Sequence, residues 1–239
     1  MAEGSGSDSG GNTIVIVARN NLHLTKLAVR SALAQDVPVD VLLIDNASRD
    51  GTARWALTKD IARSCFTDQR PLAACWNHAL KWVWSMGRAH ALVLNNDVEI
   101  RPDTYRQLLV HPYDGFVTCV SVSDHAQLRY PDQPASDSPH PDFSCFLIHE
   151  HVWVRVGPFD ELFEPAYCED CDYHVRMHRA GIRAVAIDLP FFHQVSSTAK
   201  NASPAERSAI ERGAVRSRER FRCLYGCIPG TPQYEGLFS

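Results

Sequence analysis

Three groups of polar residues in this 239-residue sequence could take part in chemistry, and each also has a plainer structural explanation. In LNNDVEI, Asp97 follows an apolar run and two amides, Asn95 and Asn96. A carboxylate so placed suits magnesium or manganese, whose usual shell is one or two carboxylates with phosphate oxygens. It equally suits the capping of a turn. His193 closes the run IRAVAIDLPFFH and precedes QVSSTAK. An imidazole there could complete a metal site, with Ser196, Ser197, Thr198 and Lys200 donating to phosphate oxygens; packing is the alternative. Glu169, Asp170 and Asp172 lie within four residues. A carboxylate near a reacting carbon can take a hydroxyl proton, whereas acids at a helix start are also what the helix dipole favours. His174 and His178 stand four apart with no metalloprotease glutamate between them, and read as surface or packing residues.

The elements that must position these groups follow from hydrophobic period. NTIVIVARN is a β-branched run that reads as a buried strand, and HLTKLAVRSALAQ spaces Leu24, Leu27, Ala28, Ala32 and Leu33 helically. VDVLLIDNASRDGT is a second strand and TARWALTKDIARS a second helix; PLAACWNHALKWVWSM and HALVLNNDVEI repeat the pair. Such alternation predicts an α/β fold with a parallel sheet. Ligands of such sheets sit beyond the carboxyl ends of the strands, which brings the strand-end Asp45 and Asp97 to one cleft.

After RPDTYRQLLVH, read as a helix, FVTCVSVS reads as a strand, and a long proline-rich loop lies between Asp124 and Asp142. FSCFLIHEHVWVRVGPFDELF gives a strand, a short helix and a turn at Gly157-Pro158. CEDCDYHVRMHRAG gives a helix ended by Gly181, followed by a last strand to His193. Ser203, Pro204 and Glu206 form the start signal of a tail helix running toward Cys223, with Arg212, Arg216 and Arg220 at four-residue steps.

Composition limits the classes of function. With 45% hydrophobic and 22% charged residues the chain can bury a core, and a net charge of -4 gives no global pull toward nucleic acid or anionic membrane. Residues 1–12 are small and polar and read as a disordered leader. No signal peptide and no apolar run of about 20 residues stands out, so a soluble, cytoplasmic protein without an integral membrane segment is expected. The eight cysteines suit reduced thiols. The pairs Cys168/Cys171 and Cys223/Cys227 have zinc-like spacing, but the first flanks the acids above and lacks the usual knuckle neighbours.

Taken together, the blocks resemble the family 2 glycosyltransferases with the GT-A fold, a Rossmann-like, mostly parallel sheet flanked by helices. The resemblance spans roughly residues 13–200, with a nucleotide-binding half at about 13–100, an acceptor half at about 101–200, and a helical tail at 201–239. LLIDNASRDGT resembles the nucleotide-binding loop, which implies Asp45 at the base and Asp50 near the ribose or backbone. PLAACWNHAL resembles the helix whose asparagine, here Asn77, helps hold the nucleotide. LNNDVEI stands where the family has its DXD motif: Asn95 replaces the first aspartate, Asn96 lies between, and Asp97 remains as metal ligand.

FSCFLIHEHVWVRVGPFDELF resembles the sugar and acceptor pocket segment. YCEDCDYHVRMHRAG resembles the helix that carries the base, implying Asp170 as base beside Glu169, and His193 matches the late metal-binding histidine. Leu72, Ala73, Ala74, Ser144 and Cys145 replace family glycines, which leaves the sugar open.

The resemblance implies an inverting transferase using manganese or magnesium and a nucleoside-diphosphate hexose, with UDP the expected carrier and a glycan hydroxyl the expected acceptor. Hydroxymethylated DNA is the alternative acceptor, through the arginines of the tail helix. A nucleotidyltransferase would want a glycine-rich phosphate loop where VARNNLHLT stands. A sugar-nucleotide binder without turnover would have no need of both Asp97 and Asp170.

Overall fold

The structure, a computed structural model, describes residues 11–113, 115–129, 136–137, 141–194 and 202–239. The nine strands among the described residues form one sheet. β1 (Asn12–Ala18), β2 (Val39–Asn46), β3 (Ala62–Phe66) and β4 (His90–Asn95) lie in the order β3-β2-β1-β4, all parallel. The sheet continues through β8 (Cys145–His149), β6 (Phe116–Val122) and β9 (Ala184–His193) to the two-residue β5 (Val98–Glu99). Here β6 and β9 are parallel, while β4·β8, β6·β8 and β5·β9 are antiparallel. The short β7 (Ser136–Asp137) pairs antiparallel with β9.

Both faces of the first strands are apolar because both are covered. Ile14, Ile16 and Ala18 of β1, Val41 and Leu43 of β2, and Leu92 and Leu94 of β4 face one core. That core also takes Ala28, Val29 and Ala32 of α1 (Leu22–Leu33), Ala56 of α2 (Thr52–Ala56), and Tyr105 and Leu108 of α4 (Thr104–Val110). The alternate residues Val15, Val17, Leu42, Ile44, Ala91 and Val93 face the opposite core. There they meet Trp76, Leu80 and Val83 of α3 (Leu72–Ser85), Val152 of α5 (Glu150–Val156), and Tyr173 and Met177 of α6 (Glu169–Arg179). Period two along each strand thus sorts side chains between two helical layers.

The structure departs from the expected elements; the run HALVLNNDVEI, expected as one strand, breaks after Asn95, and Val98–Glu99 forms the separate β5. The second helix was expected over TARWALTKDIARS, yet α2 holds only five residues, and Ala62–Phe66 forms β3 at the sheet edge. β1 also begins at Asn12, the last residue of the expected leader; residues 1–10 lie outside the described residues.

The tail helix α7 (Pro204–Tyr225) starts with the expected capping box: Glu206 N–H donates to Ser203 Oγ at 3.3 Å, and Ser203 N–H to Glu206 Oε2 at 3.0 Å. Its buried residues Gly213, Ser217 and Phe221 recur every fourth position and form the face that docks. Ser217 donates to the Ala166 carbonyl at 3.2 Å, Arg220 pairs with Asp160 at 2.5 Å, and Phe221 joins a third core with Phe163, Cys168, Val175, Cys227 and Tyr234. The last of these belongs to α8 (Pro232–Glu235). α7 therefore buttresses the segment entering α6. At Gly213 the approach is so close that a Cβ would fall against the Pro165 ring and 2.8 Å from the Glu164 carbonyl. Gly213→Ala should lower stability by about 1–3 kcal/mol, the usual range for overpacking, read as a lower urea midpoint with an unchanged slope. An unchanged midpoint would show that α7 yields at this contact.

Candidate active site

The order β3-β2-β1-β4 reverses direction of growth between β1 and β4, and ligands of open parallel sheets bind beyond the carboxyl ends at such a switch point. The loops there are tied together. Arg19 Nη1 donates to the carbonyls of Asn46 and Ala47 at 3.0 and 3.2 Å, Asn20 N–H donates to Ser48 Oγ, and Arg49 N–H donates to Asn20 Oδ1. Among the described residues, five that are not glycine have left-handed backbones: Asn20, Asn21, Ala47, Tyr167 and Cys168. All five lie in the loops after β1, after β2 or before α6. Backbone strain of this kind gathers where function demands a shape.

Asp97 and His193 meet because β5, directly after Asp97, pairs with the end of β9 and sets Val98 opposite His193. Gln194 N–H also donates to the Asp97 carbonyl at 3.0 Å. His193 Nε2 lies 3.4 Å from Asp97 Oδ1, with side chains only 13% and 9% exposed. Burial alone would push the imidazole down, but its hydrogen bond to Asp97 and the charges of Asp97 and Asp142 push it up on balance. A carboxylate and an imidazole suit a hard divalent cation whose other positions are taken by substrate oxygens. Among the described residues no set of three or more His, Cys, Asp or Glu side chains converges on a metal position, so such an ion would depend on those added oxygens. Ser197, Thr198 and Lys200 lie outside the described residues.

Beside Asn95 opens a cavity of about 380 Å³ lined by Leu72, Trp76, Pro141, Phe143, Ser144, Asp142, Glu169 and Asp170. Three carboxylates and no Lys or Arg stand among these lining residues. Glu169 is buried, with Oε2 lacking a hydrogen bond, and its carboxyl is held well above the usual range by burial and by the neighbouring Asp170 charge. Asp170 keeps part of its surface exposed and accepts from Cys171 N–H at 2.8 Å. Burial raises its proton affinity, the Cys171 hydrogen bonds oppose that, and Asp142 adds to the rise. Asp172, the third acid, faces away: Arg176 Nε donates to one oxygen at 2.8 Å and Tyr225 O–H to the other at 2.6 Å.

Three of the amide and acid positions expected at the nucleotide prove to have structural partners. Asn77 is buried and donates to the Phe159 carbonyl (2.9 Å) and Glu161 (2.8 Å) while accepting from Phe159 N–H (2.9 Å), so it pins the turn before α6 to α3. Asp50 accepts from Leu22 N–H at 2.7 Å and from both Thr52 donors, holding the starts of α1 and α2. Asn96 donates to the Asn20 carbonyl and Thr25 Oγ1. In each case the amide or carboxylate is satisfied by the fold's own groups. Asp45 remains at the end of β2, buried and accepting from Ser48 N–H at 3.3 Å, and Asn95 lines the cavity.

Sequence reasoning missed Trp76, Phe143 and Asp142 as cavity residues; the aromatic pair had only a core-like spacing to show. A larger cavity, about 500 Å³, lies along α3, α6 and α7 and includes Lys81, Glu161 and Leu224. It is away from the strand ends, and Asp172, Arg176, Tyr225, Asp160 and Asn77 on its wall bond to protein partners, so the smaller cavity is the better candidate.

The model of glycosyl transferase family 2 matches residues 13–159. The chain belongs to that family and is a glycosyltransferase. The match ends before Glu169, Asp170 and His193. No curated protein sequence matches. Among solved structures, the chain resembles a mannosyltransferase, PcManGT from Pyrobaculum calidifontis, in complex with GDP-Man and Mn2+. That similarity has a TM-score of 0.63 at 20% identity, covering 95% of this chain and 67% of that one. GalNAc-T7 with UDP, GalNAc and Mn2+ gives 0.61 at 12% identity, over 78% of this chain and 44% of that one. Residues 1–349 of S. aureus TarS with UDP give 0.59 at 12% identity, over 89% and 72%. At these identities the likeness establishes the GT-A fold. The chain spans under half of the GalNAc-T7 structure. No helix among the described residues is long and apolar enough to cross a membrane.

The buried acids have a measurable cost. A carboxyl whose folded pKa is raised gives stability that is full below its unfolded pKa and is lost as pH rises through the folded value. Glu169→Gln should therefore stabilise the protein at neutral pH by about 0.5–2 kcal/mol, with the gain fading as pH falls from the raised folded value toward the ordinary carboxylate range and absent below it. Denaturation of both proteins across pH checks this. A pH-independent difference would contradict burial of the charge.

Proposed function

We propose that the protein transfers a hexose from a nucleoside-diphosphate sugar, UDP being the simplest carrier, to an acceptor hydroxyl with inversion at the anomeric carbon. The observation supporting this most directly is the cavity at the strand ends, with Asn95, Glu169 and Asp170 on its wall, next to the Asp97–His193 pair. The nucleotide would lie over the ends of β1 and β2 with Asp45 at its base or ribose, and the sugar would enter the cavity. Neighbouring folds hold UDP or GDP-Man, and two hold Mn2+, which supports the donor class and a divalent metal.

Asp97 and His193 would hold manganese or magnesium, which when bound supplies positive charge to the departing diphosphate. Asp170 is the group that takes the acceptor proton. As the O–H proton passes to its carboxylate, the acceptor oxygen forms a bond to the anomeric carbon, the bond from that carbon to the diphosphate oxygen breaks, and the diphosphate leaves with the electron pair. Burial, with the Asp142 charge added, raises the proton affinity of Asp170, which makes it a stronger base than an exposed aspartate. Leu72, Trp76 and Phe143 offer apolar wall to the ring of a sugar. A glycan hydroxyl fits such a cavity. The DNA alternative relied on Arg212, Arg216 and Arg220 of α7, of which Arg220 is engaged by Asp160.

The deciding experiment measures transfer and hydrolysis with a panel of UDP- and GDP-sugars, with Mn2+, Mg2+ or a chelator, and with glycans and hydroxymethylated DNA as acceptors. Chelation and Asp97→Ala should each remove turnover, and Asp170→Asn should lower kcat by about 10²–10⁴-fold with nucleotide binding retained. Failure to bind any nucleotide sugar would overturn the proposal. In active protein the acid limb of the rate profile should lie above the ordinary carboxylate range, because a base with raised pKa loses activity on acidification sooner than an exposed one. A limb at the ordinary value would remove Asp170 from the role of base.

A further inference from the structure

Arg19 directly follows β1 and has no part in the chemistry above. Register sets Ala18 opposite Asp45, so Arg19 and Asp45 stand at the carboxyl ends of adjacent parallel strands. The Arg19 guanidinium is anchored at one corner: Nη1 donates to the Asn46 and Ala47 carbonyls at 3.0 and 3.2 Å, while the donors on Nε and Nη2 have no partner among the described residues. Those donors are not sealed in. Arg88 Nε and Arg176 Nη2 are buried without partners, whereas no atom of Arg19 is. Asp45 is in the same condition with the opposite polarity: Oδ1 accepts from Ser48 N–H at 3.3 Å, and Oδ2 has no partner among the described residues and is not sealed either. Nor is Arg19 the sole tie between these loops, since Asn20 N–H donates to Ser48 Oγ and Arg49 N–H to Asn20 Oδ1, each at 2.8 Å. Glu206, an acid whose charge also acts on Arg19, is taken up by the capping box at Ser203.

We propose that Arg19 is a specificity-determining residue for the donor nucleotide: with Asp45 it reads a base that carries a carbonyl oxygen beside a ring N–H, the edge that uracil and guanine share and that cytosine and adenine lack. The inference rests on the nucleotide lying over the ends of β1 and β2. Its bonds hold the Arg19 guanidinium against the loop after β2, whereas Asp97 and His193 mark the other side of the switch point, beyond β4 and β9. A donor whose diphosphate reaches that pair turns its opposite end, the base, toward Arg19. A guanidinium only donates and a carboxylate only accepts. Arg19 therefore takes the carbonyl oxygen and Asp45 the ring N–H. Cytosine and adenine present an unprotonated ring nitrogen next to an amino group, which sets acceptor against carboxylate and donor against guanidinium. Both contacts are then lost and two partly buried charges stay unpaired, the condition under which a hydrogen-bonding site discriminates most. The anchored Nη1 fixes the plane of the fork before the base arrives, so little ordering is left to be done on binding.

The test is calorimetric titration of the full chain with UDP, GDP, CDP and ADP in the presence of Mn2+, four ligands that share ribose, diphosphate and metal and differ only in the base. The wild type should bind UDP or GDP at least about 10-fold more tightly than CDP and ADP, since one well-placed pair of base contacts discriminates by about 5- to 150-fold. Arg19→Met, which keeps the length and removes the donors, should cut that preference at least about 5-fold by weakening the preferred nucleotide more than CDP. Asp45→Asn, whose amide can donate to an unprotonated ring nitrogen, should cut it by improving CDP relative to UDP. Arg19→Lys keeps the charge but has no fork to bond both loop and base; it should also lower the preference, and serves if Arg19→Met fails to fold. A wild type that binds CDP or ADP as well as UDP and GDP would overturn the proposal. So would an Arg19→Met whose preference is unchanged, even if all four ligands weaken by one factor, because Arg19 would then be only a clamp on the loop or a phosphate contact. Binding of none of the four to the wild type would instead sink the assignment of a nucleotide-sugar donor on which the proposal rests.

Discussion

The antiparallel contact between β5 and the end of β9 is the constraint on which the site depends. Two residues of β5 suffice to place Asp97 and His193 within 3.4 Å, although nearly a hundred residues separate them along the chain. Neither residue is held by its own local sequence. Asp97 is the residue between the β4 turn and β5, and His193 is the last residue of β9, so the ladder bond from Gln194 N–H to the Asp97 carbonyl fixes both backbones at once. Backbone pairing is a sound way to bring two ionisable groups together, since its geometry does not depend on their charge. The side chains can then gain or lose a proton or a ligand without the strands moving.

The second half of the site has a different support. Glu169 and Asp170 begin a helix whose N-cap residue, Cys168, has a left-handed backbone and makes no side-chain cap. Nothing local favours this start beyond the helix dipole, which welcomes acids in the first turn. The cost of the dihedral strain and of the buried Glu169 carboxyl is met by packing from outside: α3 through Asn77 and Phe159, and α7 through Gly213, Ser217 and Phe221. The family match ends at residue 159, before this helix, so of its two supports α3 lies inside the matched region and α7 outside it.

Much of this was legible in the sequence, and the reasons are physical. Strands covered on both faces, such as TIVIVA and VLLID, read as continuous apolar runs, and amphipathic helices such as α1 and α3 show their period directly. β3 was not legible, because ARSCF at a sheet edge alternates half-buried with exposed residues and its pairing with β2 is a tertiary fact. β5 could not be found at all, as two residues have no period. Asp97 at a strand end and Asp170 at a helix start stood out in the sequence, whereas the local partners of Asn77, Asp50 and Asn96 did not. A sequence shows that an amide is present near a site, but whether it faces ligand or backbone depends on which N–H and C=O groups the fold leaves unpaired. Phe159 needed both partners, and Asn77 supplied them.

The same accounting explains why a cavity wall can be hostile to charge and still be useful. A protein that only had to fold would put Gln and Asn at positions 169 and 170, since neither carboxyl has a cation near it on the cavity wall. Keeping two acids there raises the energy of the resting state, and the energy is returned whenever a proton or positive charge arrives. An acceptor hydroxyl gives up its proton most readily to a carboxylate in that condition. The strain in the loops, the unpartnered Glu169 oxygen and the raised proton affinity of Asp170 then have one origin: the apolar layers of the sheet are stable enough to hold a locally unfavourable arrangement at its end.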